Sequence, residues 1–386
     1  MVPRRLAAKA SELLEKYPLI VISGPRQSGK TTLARQLRPD FTYVNLELAE
    51  NRNFAEQDPH QFLQKYQGGV ILDEVQYVPS LFPYLKHYTD QRGAAGEYIL
   101  TGSQHFLMLE KITQSLAGRA GLLHLLPFSN EELSSAGFLP PDAETLIWKG
   151  AYPRLYDKDI QPADFYPAYT GTYVERDVRQ LINVRNLKQF RQFLTACAGR
   201  TGQLLNFSEL GGMLGLDSKT VKAWMGILEA SFIVYLLPPY HRNFDKRIVK
   251  MPKLYFYDTG LACSLLSIRS AEQLDQHFAK GALFENMVIT ELLKAALNRG
   301  EQPSFYFWRD SNQRELDLLI ENGPLLKGIE IKASRTFHPD FAKNLLYFKG
   351  LDAQLQTELY VVYGGDADQR REHFSLLSWE RLGLIG

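Results

Sequence analysis

The chain has 386 residues, with 44 Lys and Arg against 43 Asp and Glu for a net charge of +1, and 45% hydrophobic and 23% charged residues. That is an ordinary globular composition on a length that calls for two or three domains rather than one growing core. No apolar run approaches the roughly 18 residues of a bilayer span, and the two cysteines, Cys197 and Cys263, stand too far apart for a disulfide framework or a metal knuckle.

Residues 1–17 are charged and amphipathic, without the apolar core of a secretory signal, so a cytoplasmic location with no membrane partner is expected. An apolar run, Leu19–Ile22, then leads into Gly24-Pro25-Arg26-Gln27-Ser28-Gly29-Lys30-Thr31, which fits G-x-x-x-x-G-K-[ST], and a helical pattern leaves it from Thr32 to Leu37. Strand, glycine loop and helix N-terminus form a phosphate cradle. The glycines let backbone N–H groups turn inward, the helix dipole adds to them, Lys30 reaches the β- and γ-phosphates, and the Thr31 hydroxyl can hold Mg²⁺. A nucleoside triphosphate is the expected ligand of residues 24–32.

Four further apolar runs follow, at Phe41–Leu46, Val70–Leu72, Tyr98–Leu100 and Leu122–Leu126, separated by helical stretches. Continuous apolar strands alternating with helices predict a parallel sheet covered on both faces. The third strand ends in Asp73-Glu74 at the carboxyl edge, where open α/β sheets bind ligands. There Asp73 would hold Mg²⁺ and Glu74 would activate the attacking water. Thr101, Ser103 or Gln104 at the end of the next strand could sense the γ-phosphate, and Arg119 could face a neighbouring subunit's nucleotide. These residues define an ATPase-like core over 1–130.

Residues 131–186 read as a helical lid or linker broken by Pro140, Pro141, Pro153, Pro162 and Pro167. Over 187–265 a helix from Phe207 to Leu214, a turn, a second helix from Lys219 capped by Asp217 or Ser218, and two strands predict a winged helix. Basic residues gather at Arg176, Arg179, Arg185, Lys188, Arg191 and Arg200, and again at His241, Arg242, Lys246, Arg247, Lys250 and Lys253. Lys219 and Lys222 on the second helix, with Arg242, Lys246 and Arg247 on the hairpin, are the expected DNA contacts, mainly to phosphates. Winged helices also dock proteins, so that alternative stays open.

From 266 to 386 the pattern is again α/β, with a helix from Leu283 to Leu297 and strands near 305–308, 315–320, 328–332 and 359–363. Glu330 and Lys332, two apart in a strand, share a face. With Asp317 on the hairpin partner and Glu285 on the helix they could hold a divalent metal beside a water-activating lysine.

Together, the phosphate loop, the Leu-Asp-Glu strand end, Leu-Thr-Gly-Ser103 and Leu-Ala-Gly-Arg119 resemble the AAA+ ATPase superfamily. Within it the chain is similar to a prokaryotic group of the AAA_14 plus DUF4143 architecture, DUF4143 spanning about 187–386; Tyr-Val-Glu-Arg-Asp177 also fits. The resemblance implies ATP rather than GTP, a homo-oligomer such as a ring, and a base contact at Pro153 through Gly-Ala-Tyr-Pro153. Glu285, Asp317, Glu330 and Lys332 in turn resemble the PD-(D/E)xK nuclease superfamily. The expected architecture is thus an α/β P-loop NTPase sheet domain of AAA+ type, a winged helix, and an α/β restriction-endonuclease-like domain. The expected activity is Mg²⁺-dependent ATP hydrolysis coupled to binding or remodelling of DNA. Two alternatives remain: an ATP-gated protein-binding switch with a silent nuclease-like domain, and an ATP-regulated metal-dependent nuclease.

Overall fold

The structure, a computed structural model, describes residues 2–66, 68–103, 116–174, 187–240, 251–351 and 356–385. The chain divides into two compact units at Phe128/Ser129, with the short segments Ala230–Phe232 and Leu297–Glu301 grouping with the first.

In the first unit the five apolar runs form strands β1 (Leu19–Ser23), β2 (Thr42–Asn45), β3 (Val70–Asp73), β4 (Tyr98–Gly102) and β5 (Ala120–His124). They pair in the order β2-β3-β4-β1-β5, every pair parallel. Alternation along β1 sends Leu19 and Val21 into one core and Ile20 and Ile22 into another, so helices cover both faces. One core takes Phe62, Leu81, Phe82 and Leu85, and the other takes Leu6, Ala10, Leu33 and Ala34. This order places β4 between the phosphate-loop strand β1 and the acidic strand β3, all three ending at the same edge.

The second unit contains the expected pair of helices, Phe207–Leu214 and Ser218–Ala230. Asp217, rather than Ser218, supplies the cap, accepting from the N–H groups of Lys219 and Thr220 at 2.9 Å each. Val221, Trp224 and Leu228 point inward, as the helical spacing requires. Strands β6 (Val234–Leu237) and β7 (Lys253–Phe256) pair antiparallel, and Leu204 bridges to Lys253 beside them.

Further along lies a six-stranded mixed sheet of β8 (Ser304–Arg309), β9 (Glu315–Asn322), β10 (Leu325–Lys332), β11 (Gln356–Tyr363), β12 (Gln369–Arg370) and β13 (Ser375–Ser378), ordered β12-β13-β11-β10-β9-β8. β8, β9 and β10 are antiparallel neighbours, whereas β10, β11 and β13 run parallel. The Lys280–Asn298 helix precedes it.

One buried acid ties this unit together. Asp258 is 3% exposed and accepts from the Tyr166 hydroxyl at 2.6 Å, the Ala151 N–H at 2.8 Å and the Leu261 N–H at 3.1 Å. Burial pushes its carboxyl above the usual range, against the pull of those donors. Gly150 and Gly260 make the approach feasible, since an added Cβ would lie 1.9 Å and 2.2 Å from the Tyr166 hydroxyl. Asp258→Ala is expected to strand the Ala151 and Leu261 N–H groups, Tyr166 keeping the Lys149 carbonyl at 3.0 Å, and to destabilise the unit by about 2 kcal/mol or more. A urea titration in which the midpoint does not move would remove this assignment.

Candidate functional site

Gly24 and Gly29 adopt φ of +152° and +95°, where only glycine fits easily, and Gln27 joins them at +62°. At Gly24 a Cβ would stand 2.1 Å from the Leu125 carbonyl oxygen, so neighbouring backbone enforces the glycine. The loop therefore curls as its spacing predicts and ends on the first turn of the Lys30–Leu37 helix. Pro25, Arg26, Ser28 and Lys30 are buried in it, Thr31 is half-buried, and Thr32 is exposed on the helix. The Lys30 ammonium donates to the carbonyls of Gly24 at 2.9 Å and Pro25 at 2.7 Å. Ser28 Oγ and Gln27 Oε1 are buried with no hydrogen-bond partner among the described residues. A cradle with unsatisfied polar atoms and a long-stemmed cation fits a polyphosphate.

Asp73 sits beside the loop at the end of β3, 5% exposed. Its Oδ2 accepts from Thr31 Oγ1 at 2.9 Å and from the Tyr43 hydroxyl at 2.6 Å, and its Oδ1 accepts from Thr101 Oγ1. Burial first, and then Asp73, push the Tyr43 phenol well above its ordinary range, so it stays a donor. Arg35 stacks on its ring at 3.9 Å. The hydroxyl and carboxylate oxygens of Thr31 and Asp73 suit a hard divalent cation such as Mg²⁺.

The next residue, Glu74, takes a left-handed backbone, φ 56° and ψ 46°, a conformation uncommon outside glycine. Its Oε2 accepts from Ser103 Oγ at 3.1 Å and from Gln76 Nε2. The two acids thus diverge, Asp73 toward Thr31 and Glu74 toward the end of β4.

Three contributors were not read from the sequence: Arg4, Tyr43 and Gln76. Arg4 donates to the Ser28 carbonyl and the Leu126 carbonyl, at 2.6 Å each, and lies over the Phe128 ring at 5.0 Å. It braces the phosphate loop from outside. For Tyr43 a signal existed, a lone phenol in the strand beside the acidic strand; for Arg4 and Gln76 there was none.

Other expected residues lie apart. Arg119 ion-pairs with Asp90, Nη2 to Oδ2 at 3.0 Å, just before β5. Ala120 is level with Leu19, whereas the phosphate loop follows Ser23; four strand rises separate those edges, roughly 13 Å. The structure therefore does not bring Arg119 to its own chain's loop. Pro153 is buried at the start of the Pro153–Asp157 helix, in the second unit. Lys219 and Lys222 are exposed on the Ser218–Ala230 helix. Gln104, Arg176, Arg179, Arg185, His241, Arg242, Lys246, Arg247 and Lys250 lie outside the described residues.

The second unit does gather Glu285, Asp317, Glu330 and Lys332. Lys332 Nζ reaches Glu330 Oε1 at 2.7 Å and Asp317 Oδ2 at 3.9 Å, and the Ile331 N–H donates to Asp317 at 2.7 Å. Burial, and then Asp317, raise the Glu330 carboxyl; burial also raises that of Glu285, against the pull of Lys253. Yet among the described residues no group of three His, Cys, Asp or Glu side chains is arranged to hold a metal ion. The residues expected to form a metal trio do meet, each with one carboxylate oxygen accepting an internal hydrogen bond. Lys253 likewise is not part of a solvated basic hairpin, since it is 3% exposed.

An AAA domain model matches residues 16–134, and a domain of unknown function, DUF4143, matches residues 280–382. A further domain of unknown function, DUF8612, matches 141–272. The uncharacterized proteins Rv2008c of Mycobacterium tuberculosis and Mb2031c of Mycobacterium bovis are each 31% identical over 368 residues, covering 94% of this chain and 80% of theirs. The chain belongs to the AAA_14 plus DUF4143 family. Its AAA domain carries the P-loop sheet expected of it, and the DUF4143 unit the mixed sheet that follows. Among solved structures, the Walker-type ATPase PABY2304 of Pyrococcus abyssi aligns with a TM-score of 0.41 at 18% identity, over 68% of this chain and 94% of that one. A single-substitution variant of RuvB from Thermotoga maritima aligns with a TM-score of 0.30 at 16% identity, over 61% and 90%. A P-loop ATPase fold implies nucleotide binding and typically a divalent metal. Among the described residues no helix is long and apolar enough to cross a membrane.

Proposed function

We propose that the AAA domain binds and hydrolyses ATP with Mg²⁺, and that an oligomer of the chain couples turnover to DNA contact by the second unit. The observation that carries the catalytic part is the placement of Thr31, Asp73 and Glu74 at one edge of the sheet beside the loop, Asp73 bonded to Thr31 and Glu74 to Ser103.

Backbone N–H groups of residues 24–32 bind the phosphates, and Lys30 leaves its carbonyl partners to meet the β- and γ-phosphate oxygens. Thr31 and Asp73 hold Mg²⁺, which neutralises phosphate charge when bound. Glu74 accepts a proton from the water that attacks the γ-phosphorus, while the bond to the bridging oxygen breaks and ADP departs with that electron pair. Gln76 and Ser103 fix the Glu74 carboxylate before that step, and Thr101 holds Asp73. Gln104 would sense the γ-phosphate. Arg119, remote from its own loop, serves a neighbouring copy by exchanging Asp90 for a γ-phosphate.

DNA contact rests on the helix pair with its flanking hairpin, read as a winged helix, with Lys219, Lys222, Arg242, Lys246 and Arg247 on phosphates. A net charge of +1 makes that contact local and salt-sensitive. At low salt, duplex, single-stranded and branched DNA are each expected to shift in gel electrophoresis in an ATP-sensitive manner, and Lys219→Ala with Lys222→Ala is expected to weaken the shift several-fold. If no DNA shifts with or without ATP, while ATP turnover persists and a protein copurifies, the protein-binding switch replaces the DNA reading.

A further inference from the structure

The carboxylates of the DUF4143 unit surround a cation that the chain itself provides. Lys253, at the start of β7, inserts its ammonium between Glu285 of the Lys280–Asn298 helix, at 3.0 Å, and Glu315 at the start of β9. Phe307 closes over it, with the ammonium 5.7 Å from the ring centroid. Its side chain is 3% exposed, against 16% for Glu285 and 22% for Glu315. Burial by itself disfavours the charged form of such a lysine. The carboxylates of Glu285, Asp317 and Glu315 outweigh that penalty and hold it charged.

We propose that Lys253 is a built-in substitute for a divalent metal, so that the cluster Glu285, Asp317, Glu330 is closed to Mg²⁺ and Mn²⁺ in the native protein. A divalent ion needs about six oxygen ligands at close range. Here Glu285 accepts from both Lys253 and the Tyr255 hydroxyl, Asp317 accepts from the Ile331 N–H, and Glu330 accepts from Lys332. An ion on the same oxygens would also lie within a few ångströms of an ammonium whose side chain is 3% exposed, where like charges repel with little screening. Glu330 Oε2 is buried without a partner among the described residues; these hydrogen bonds engage one oxygen of each carboxylate, Glu285 Oε1, Asp317 Oδ2 and Glu330 Oε1, and the neighbouring ammonium is what excludes a second cation.

The substitution also has a mechanical role. One ammonium joins β7, the long helix and β9, three elements separated by 32 and 30 residues along the chain. In this reading metal-dependent phosphodiester cleavage is not an activity of the unit.

The test uses the full chain, nucleotide-free, titrated with Mn²⁺ and followed by the paramagnetic resonance signal of free Mn²⁺ and by melting temperature. The native protein is expected to bind no Mn²⁺ that depends on Asp317. Lys253→Ala is expected to gain one site per chain and a melting temperature that rises by a few degrees with Mn²⁺, and both gains are expected to vanish when Asp317→Asn is added. The proposal is overturned if native protein binds one Mn²⁺ that Asp317→Asn abolishes, or if folded Lys253→Ala gains none. Should Lys253→Ala not fold, Lys253→Met is read in the same way. Should that also fail, the native titration, with and without Asp317→Asn, decides: no Asp317-dependent binding upholds closure of the cluster, and such binding overturns it.

Discussion

Lys30→Ala is expected to weaken nucleotide binding by about 100-fold or more, measured by titration of a fluorescent ATP analogue. A charge-assisted hydrogen bond contributes about 1.5–3 kcal/mol, and about 1.4 kcal/mol is tenfold in affinity, so two lost phosphate contacts reach that range. The expectation includes a correction from the structure. In the native loop the ammonium already holds the Gly24 and Pro25 carbonyls, so binding exchanges one set of acceptors for another. The measured loss is therefore the difference between phosphate and carbonyl as acceptors, plus any loosening of the loop. A melting curve on the same variant separates the two, because loosening shifts it without nucleotide. An unchanged affinity for ATP would end the phosphate-loop reading.

Glu74→Gln is expected to leave ATP affinity within a few-fold of native and to lower turnover by about 10²–10⁴, the range of a positioned general base. Glutamine keeps an acceptor for Ser103 and Gln76 and can keep the left-handed backbone at this position, so the loss reports proton transfer and not collapse of the turn. Single-turnover measurement with radiolabelled ATP checks it. Turnover near the native rate would assign the base to another group.

Much of this is legible in the sequence, for identifiable reasons. β1, β3 and β4 are buried on both faces, so their apolar runs needed no alternation to be seen. Asp73 and Glu74 stand out because they end such a strand at a fitting spacing after a phosphate loop. What stayed hidden depends on partners remote in the chain. Arg4 binds backbone carbonyls 24 and 122 residues away, and a carbonyl leaves no trace in a sequence. Gln76 is a neutral side chain in a 3-10 turn. β13 is only four residues long and was not anticipated. Lys253 was grouped with nearby basic residues because charge says nothing of burial. Only the register that sets β7 beside the long helix makes it an interior cation. The same acids that resembled a nuclease centre were visible, but the lysine that fills their midst was not.

The hydrogen bond from Thr31 to Asp73 carries one more consequence, which concerns proton inventory. A threonine hydroxyl has one proton and two lone pairs. By committing its proton to Asp73 at 2.9 Å, Thr31 keeps both lone pairs uncommitted by any donation of its own. The Tyr43 and Thr101 hydroxyls likewise direct their protons at the same carboxylate. The edge of the sheet is thus polarised in advance, with the hydroxyl hydrogens of Thr31, Tyr43 and Thr101 turned toward one acid. A cation arriving there meets oriented oxygens and does not have to reorient the dipoles itself.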